Sequence, residues 1–454
     1  MGRLGAVNLS CSVTVVDKEG IFVKYADLNR TFDKEENVEA HAEHAHHHHH
    51  HDDDVELNPA AWSDGKRYAW LLGILVPLAP FIAWGAVEAT GFGGFWFLGP
   101  VLVFVIFPLL DLAIGMDATN PPDSVLKWLE QDHYYRWCTY LFIPIQYAGL
   151  IFAAWKWGDG GLSVVENIGL AFTMGVVGGI GINTAHELGH KRDDLEKWLS
   201  RVALAQTGYG HFFIEHNRGH HVRVATPEDP ASSRLGESFW EFLPRTVSGS
   251  LTSAWHLEAA RLDRLGKSHW TLRNDILGAW AMTVVLFAAL AVAFGPIVLP
   301  YLVLQAIIGF SLLEVVNYLE HYGLLRDKKE DGRYQRCLPR HSWNSNNVAS
   351  NVLLYHLQRH SDHHANPTRR YQALRHVDEA PQLPTGYAGM IVLAWFPPVW
   401  RRVMDPRLME HFEGDVTKAN IQPRKRAKIL KRYGGGASGG GAPTSGAAAA
   451  GVAS

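Results

Sequence analysis

Six long apolar stretches constrain the fold of this chain more than any other feature of its sequence. They cover approximately residues 68–86, 95–115, 138–155, 162–184, 277–294 and 297–319. Each is close to the roughly 20 residues that a helix needs to cross the hydrocarbon core of a bilayer. We therefore predict six membrane-spanning helices. The alternative, buried helices of a large soluble protein, does not account for the distribution of charge between the stretches.

Short connectors join the stretches in pairs, which predicts three helical hairpins. These connectors contain a single basic residue, Lys156, out of 42 lysines and arginines in the chain. Because basic residues favour the cytoplasmic side of a membrane, we expect both termini and the two long polar segments in the cytoplasm. The predicted fold is an all-α integral membrane protein, with six transmembrane helices in three hairpins and a cytoplasmic, helical, histidine-rich cap.

The predicted membrane domain covers residues 64–431 and lies between two segments without sustained periodicity. Residues 1–63 are a polar leader whose histidines 41, 44 and 46–51 resemble a purification tag, and residues 432–454 are a flexible Gly/Ala-rich tail. A formal charge of −3 and a hydrophobic content of 47% argue against a nucleic-acid-binding chain. The three cysteines are too widely spaced to build a disulfide framework or a thiolate metal site.

Histidines are concentrated in four short segments of the polar regions. In the first, T-A-H-E-L-G-H, His186 and His190 have the i, i+4 spacing that places two side chains on one face of a helix. In the second, E-H-N-R-G-H-H, His216 and His220 have the same spacing, and His221 is adjacent. Neighbouring helical residues point about 100° apart, so His220 and His221 are expected to serve two different metal ions.

The third segment, N-Y-L-E-H-Y-G, contains His321, and the fourth, L-Q-R-H-S-D-H-H, contains His360 and His363 at i, i+3 with His364 adjacent. The fourth and sixth stretches lead directly into the first and third segments, so all nine histidines are expected at one edge of the bundle. Nine imidazoles exceed the four ligands of a zinc site and fit two ions with four or five ligands each. Imidazole suits Fe, Cu, Zn and Ni, and the absence of cysteine from every segment argues against blue-copper and iron–sulfur sites.

Polar side chains beside these segments are candidates to support the ligands by holding the second imidazole nitrogen. Glu215, Glu320 and Asp362 are closest in sequence, and Glu187, Glu228 and Asp229 are nearby; each can equally be an ordinary surface charge. For the remaining histidines, a supporting role is open for His211, His341 and His356, whereas His133, His256, His269, His376 and His411 are expected to be surface residues.

Four polar residues lie within the predicted spans, where burial of a charge or an amide is costly and therefore suggests a function. Glu314 and Asn317 are seven and four residues before His321, on the same helical face. Asp111 is near the cytoplasmic end of the second stretch. Glu166 alternatively belongs to the opposite membrane interface.

The four histidine segments, in this order and between these stretches, closely resemble those of the integral-membrane alkane 1-monooxygenases. The resemblance covers approximately residues 64–431, and the combination of H-E-L-G-H, N-Y-L-E-H-Y-G-L-L and L-Q-R-H-S-D-H-H is specific to that family. It implies a bacterial inner-membrane enzyme that hydroxylates the terminal methyl group of medium-chain n-alkanes with O2. It also implies two non-haem iron ions, bound by the nine histidines, and two electrons from rubredoxin. No cysteine follows Cys337, so rubredoxin is expected as a separate or removed chain.

Other classes of protein share parts of this pattern. H-E-L-G-H satisfies the H-E-x-x-H motif of membrane metalloproteases, with Glu187 as a general base, but leaves seven histidines without a role. A membrane di-iron fatty-acyl desaturase or hydroxylase shares the histidine chemistry but not N-Y-x-E-H-Y-G. A metal transporter would need ligands along a transmembrane path.

Two further expectations concern substrate and donor. An apolar slot is predicted between the second and sixth stretches, where Phe107, Leu312, Gly99 and Gly309 mix bulky and small side chains. Rubredoxin, a small acidic protein, is expected to dock on a basic surface near the irons. The candidate arginines are Arg218, Arg223, Arg340, Arg359, Arg369 and Arg370.

Overall fold

The computed structural model describes residues 62–434. Within this range all regular secondary structure is helical. Pairing of the β type is limited to isolated bridges. Nearly all of the predicted leader and tail, including the histidine run, lies outside the described residues. Six helices are long and apolar enough to cross a membrane, as predicted, and we call them the first to the sixth span: Ala69–Thr90, Gly93–Ile114, His133–Asp159, Val164–Gly189, Asp275–Phe294 and Pro296–His321.

The fourth span is the centre of the bundle, since 89% of its apolar window is buried, compared with 17% for the fifth span. It packs on the sixth span at two glycines. A Cβ atom on Gly179 would lie 3.0 Å from the carbonyl oxygen of Gly309. Small residues allow such close helix contact. The contact brings the ends of both spans, which carry His186 and His321, next to each other.

Two of the polar candidates within the spans stabilise the fold. Glu166 completes a capping box with Ser163, whose backbone nitrogen donates to the Glu166 carboxylate at 2.8 Å. It therefore starts the fourth span at the end opposite to His186. Asp111 accepts hydrogen bonds from the backbone nitrogen (2.9 Å) and the hydroxyl of Ser350, and it thereby ties the second span to a short helix outside the spans.

The helices outside the spans form what we call the cap. Its α-helices are Asp123–Gln131, Asp194–Ala205, Phe212–Ile214, His221–Arg223, Phe239–Arg264, Val348–Leu353, His360–Ala365, Tyr387–Ala394, Pro397–His411 and Arg426–Tyr433. One cap segment, Glu215–His220, is a π-helix. Short 3₁₀ turns connect several of these elements.

The cap helix Asp194–Ala205 ends inside the bundle, where its last carbonyl groups have no intrahelical partner. Side chains from three spans supply the missing donors. Gln146 donates to the carbonyl of Ala203 (3.2 Å), Thr283 to that of Ala205 (2.9 Å) and Gln305 to that of Gln206 (2.8 Å). Buried backbone groups inside a membrane must be satisfied by the protein itself. This anchor fixes the start of the segment that carries His216, His220 and His221.

Candidate metal centre

The nine histidines of the four sequence segments form two compact groups. The five-histidine group contains His186, His190, His216, His221 and His363, and the four-histidine group contains His220, His321, His360 and His364. Within each group, one nitrogen from every ring lies within 4.8 Å of all the others. None of the other described histidines belongs to either group.

The imidazoles meet through their Nε2 atoms. In the five-histidine group, Nε2 of His363 lies 2.9 Å from that of His186 and 3.2 Å from that of His221. In the other group, Nε2 of His360 lies 3.2 Å from that of His321 and 2.9 Å from that of His364. Nitrogens bound at about 2.1 Å to one ion are separated by roughly 3 Å, so these spacings suit ligation of a metal.

The lack of hydrogen-bond partners at two ring nitrogens also supports metal ligation. Nε2 of His190 and Nε2 of His220 are buried and have no hydrogen-bond partner among residues 62–434. A buried polar atom without a partner costs about 1–3 kcal/mol. A cation in each group would accept one of these lone pairs and remove that cost.

The π-helix determines how the second segment divides its histidines. The predicted i, i+4 pair His216 and His220 is wrong, because His216 joins His221, five residues later. A π-helix bonds residue i to residue i+5, so positions five apart stand on the same face. Adjacent His220 and His221 do fall in different groups.

The fourth segment also differs from the prediction. His360 stands with His364 in the four-histidine group, and not with His363. His360 and His364 both lie on the helix His360–Ala365, and an α-helix places residues with this i, i+4 spacing on one face. His363 therefore points to the five-histidine group, and the adjacent pair His363 and His364 is again divided.

Burial keeps these imidazoles uncharged. The pKa values of six histidines lie well below their usual range, first because of burial and then because of neighbouring imidazoles. These histidines are His190, His216, His221, His360, His363 and His364. At neutral pH they therefore present lone pairs, which is the form that binds a cation.

Two partners hold the outward nitrogens of the four-histidine group. Nδ1 of His220 lies 2.9 Å from Asp229, and Nδ1 of His321 donates to the backbone carbonyl of His341 at 3.1 Å. Each bond fixes the tautomer that leaves Nε2 free. Burial opposes ionisation of Asp229, but His220 and Ser232 lower its pKa to about 2. The sequence favoured Glu215 over Asp229 and did not indicate the carbonyl of His341. Both observed contacts depend on tertiary structure, which residue spacing does not reveal.

The other predicted supporting residues have varied contacts. Glu320 is buried, and its carboxylate lies 3.2 Å from Nε2 of His360, the nitrogen that faces the group. Asp362 pairs with Arg369, at a distance of 2.7 Å, and does not touch a histidine nitrogen. Asn317 donates to the carboxylate of Glu314 at 3.1 Å.

Glu215 and Glu187 are each paired with a cation. Arg223 contacts Glu215 at 2.7 Å, and Lys191 contacts Glu187 at 2.9 Å in a buried pair. Burial nevertheless raises the pKa of Glu215 to about 7. Because Glu187 also accepts a hydrogen bond from the backbone of Tyr371, its carboxylate is not free to act as the general base of a metalloprotease.

The remaining histidines lie apart from both groups. His211 is buried, and neither of its ring nitrogens has a partner in the described part of the chain. Burial lowers the pKa of His211 to about 4. His269 and His376 pair with exposed carboxylates, as expected for surface residues.

We expect Asp229→Asn to weaken metal binding by about 10- to 100-fold, the usual effect of losing the partner of a ligating imidazole. The measurement is a competition titration of the purified protein with a chelator of known affinity. Asp378→Asn, which removes an exposed carboxylate beside His376, is the matched control and should leave the affinity unchanged. Equal affinities for the two variants would contradict a supporting role for Asp229.

Comparison with known proteins places this geometry in a family. Residues 163–394, which include all nine histidines, match the fatty acid desaturase family. The chain is 49% identical over 377 residues to the alkane 1-monooxygenase of Acinetobacter baylyi, covering 82% of this chain and 92% of that protein. Alkane 1-monooxygenase 1 of Alcanivorax borkumensis is also 49% identical, and the alkane 1-monooxygenase of Pseudomonas putida is 46% identical, each with the same coverage. The resemblance noted in the histidine segments is thus confirmed, and the chain belongs to the alkane 1-monooxygenase family of membrane oxidoreductases.

Proposed function

We propose that this protein hydroxylates the terminal methyl group of medium-chain n-alkanes to give 1-alkanols, with O2 and two electrons from a rubredoxin. The observation that carries the proposal is an apolar cavity beneath two groups of convergent imidazoles. The relatives named alkane 1-monooxygenase support the substrate class. The medium chain length and the donor are our inference from the resemblance of the histidine segments.

The proposed cofactor is a pair of non-haem iron ions, one in each histidine group. Nine imidazole donors fit an imidazole-preferring transition metal. Bound iron would supply the activation of O2, for which side chains have no chemistry of their own. The protein would hold the ions and exclude water. Glu320 is the candidate for one additional oxygen ligand in the four-histidine group, because its carboxylate lies among the metal-facing nitrogens.

The cavity lies between the fourth and sixth spans. Its lining is apolar except for Asn183, whose side-chain nitrogen is occupied by the carbonyl of Leu354 at 2.8 Å. Asn183 is one helical turn before His186, so one end of the cavity is directed toward the five-histidine group. The lining residues are Val103, Gly179, Ile180, Asn183, Leu312, Leu313, Val316, Leu353, Leu354, Leu357, Ala388 and Ile391.

Of the four residues named for the predicted slot, Leu312 lines this cavity and the other three do not. Phe107 does not line the cavity. Gly99 packs on Thr173, and Gly309 packs on the fourth span. The fourth span and the cap supply most of the remaining wall. An alkane has no polar handle, so such a wall can hold it only by apolar burial, at about 25 cal/mol per Å².

A fatty-acyl desaturase or hydroxylase is the second candidate, since the matched family is named for desaturases. An acyl substrate carries a polar head group that needs partners at one end of its cavity. Asn183 is the one polar lining residue, and its amide nitrogen is already engaged. The otherwise apolar lining thus favours an alkane.

Three histidines, His190, His221 and His364, are partly exposed and mark the side of the centre nearest to solvent. The rings of His221 and His364 lie 4.5 Å apart and connect the two groups. We place the docking surface for the electron donor around them. The positive-inside rule would put this surface, both termini and the metal centre in the cytoplasm, with the spans in the bacterial inner membrane.

The predicted docking arginines need one correction. Arg359 is buried, with 1% of its surface exposed, and donates to backbone carbonyls, so it cannot meet a partner protein. Arg218, Arg340, Arg369 and Arg370 pair with acidic residues of this chain. Arg192, two residues after His190, is exposed and has no acidic partner within residues 62–434.

The direct test is a product assay with the purified protein, reduced rubredoxin and octane. We expect 1-octanol and about two iron ions per chain by elemental analysis. His364→Ala should lose turnover and at least half of the iron, because it opens the four-histidine group. His376→Ala changes a partly buried histidine outside both groups and should retain both properties. Full iron and activity in His364→Ala would refute the proposed ligand set, and the absence of octanol with intact iron would refute the reaction.

Enlarging the cavity should shift the preference toward longer alkanes. Each methylene group buried is worth about 0.8 kcal/mol, so Leu312→Ala should raise the relative kcat/KM of the longer alkane by roughly fourfold per added carbon that is accommodated. Leu302→Ala makes the same change at a buried position of the sixth span that does not line the cavity. Competition assays with mixed alkanes measure the shift. The same profile in both variants would place the substrate elsewhere.

Charge reversal on the proposed docking surface should weaken the donor interaction. We expect Arg192→Glu to raise the rubredoxin concentration for half-maximal rate by about tenfold at low ionic strength, and less at high salt. Lys156→Glu changes the net charge equally on the opposite side of the bundle and should have no such effect. An identical response of the two variants would move the docking surface away from His190.

A further inference from the structure

A buried tyrosine beside the metal centre shares a hydrogen bond with a buried carboxylate. The hydroxyl of Tyr209 donates to Oε1 of Glu314 at 2.6 Å. The other oxygen, Oε2, accepts from the hydroxyl of Thr246 at 2.8 Å and from the amide of Asn317 at 3.1 Å. All three partners act as donors, and no lysine or arginine of the described chain pairs with Glu314. In its carboxylate form Glu314 accepts all three hydrogen bonds, and Oε1 lies within hydrogen-bond distance of the phenol proton.

The ring of Tyr209 is connected to the five-histidine group by a stack of aromatic side chains. Tyr209 and Phe212 are nearly parallel, at 27°, with ring centroids 6.4 Å apart. Phe212 in turn stacks on His216, with centroids 4.8 Å apart and an angle of 30°. Only 3% of the surface of Tyr209 is exposed. An oxidisable phenol therefore lies two ring contacts from a proposed iron ligand and is shielded from solvent.

We propose that Tyr209 is a one-electron reserve for the metal centre, with Glu314 as its proton acceptor. The inference rests on the proposed function, in which each turnover needs O2, two electrons and two protons. When O2 is consumed before the second donor electron arrives, one electron must come from the protein. Tyr209 supplies it, and this keeps oxidising power from damaging the histidines.

The step is balanced. The O–H bond of Tyr209 breaks, its proton moves to Oε1 of Glu314, and one electron passes along the stack to reduce the metal centre by one equivalent. The chain then holds a neutral phenoxyl radical and a protonated Glu314. The next electron from the donor protein reduces the radical, and the proton returns from Glu314 to the phenol.

Other buried tyrosines lack this combination. Tyr301 donates to the backbone carbonyl of Leu150, which cannot take up a proton. Tyr322 donates to Asp405 at 2.9 Å, but its ring packs against Tyr318 at 51° and edge-on against Trp400, and not on an imidazole. Tyr387 lies beside Glu320 and donates to the carbonyl of Trp343 at 3.1 Å, but within the described residues its ring does not pack on an imidazole. In the resting protein, burial and then the charge of Glu314 raise the pKa of Tyr209 well above its usual value. The phenol therefore keeps its proton until it is oxidised.

The test is freeze-quench electron paramagnetic resonance of the iron-loaded protein, reduced with a limited amount of rubredoxin and mixed with O2 without alkane. We expect an organic radical whose hyperfine structure collapses when the tyrosines are ring-deuterated. Tyr209→Phe should abolish the signal, and Tyr301→Phe should retain it. Glu314→Gln keeps a hydrogen-bond acceptor but not the charge, and should lower the radical yield by about tenfold.

Three results would overturn the proposal: no radical in the unmodified protein, an unchanged radical in Tyr209→Phe, or a radical that disappears in Tyr322→Phe instead. Iron content and octanol formation are measured on the same samples. Octanol without a Tyr209 radical would reject the electron reserve and leave the proposed function standing. Absence of octanol from fully iron-loaded protein would reject the proposed function itself.

Discussion

The convergence of nine imidazoles on two points is the constraint on which the rest of the structure depends. Lone pairs at this spacing repel one another where water is excluded, and a cation at each point turns that repulsion into ligation. Three structural features bring the imidazoles together. The glycine contact between the fourth and sixth spans brings His186 and His321 together, and the anchored end of the helix Asp194–Ala205 directs the π-helix into the same space.

If each histidine group held a cation, imidazole ligands would leave its charge to be balanced by residues farther out. The acidic side chains near the centre differ in a way that matches this need. Glu187, Glu215 and Asp362 are each paired with a lysine or an arginine. Asp229, Glu314 and Glu320 are buried without such a partner in the described part of the chain. We infer that these three carboxylates offset the positive charge of the centre, which a low dielectric medium would otherwise make costly.

Residue spacing was sufficient to predict the six spans and the nine histidines that meet, because both depend on regular periodicity. It was insufficient where the geometry departs from an α-helix. The π-helix places His216 with His221 and not with His220, and no sequence rule marks a π-helix. It also failed where a polar residue had a local partner, as Glu166 has in its capping box and Asp111 has at Ser350. Arg359 appeared basic and available in the sequence, but the fold closes over it. Asp229 was underrated because its contact with His220 depends on tertiary structure.

The division of each adjacent histidine pair between the groups has a thermodynamic consequence. His220 and His221 share a peptide bond, as do His363 and His364, so the backbone orientation that suits one ion also sets the ligand positions of the other. Each ion therefore reduces the ordering cost of binding its neighbour, which is positive cooperativity between two sites without a shared ligand atom. Protein with a single ion should be a minor species at equilibrium. Metal loading then behaves as one concerted transition, and partial loss of metal produces a mixture of full and empty centres.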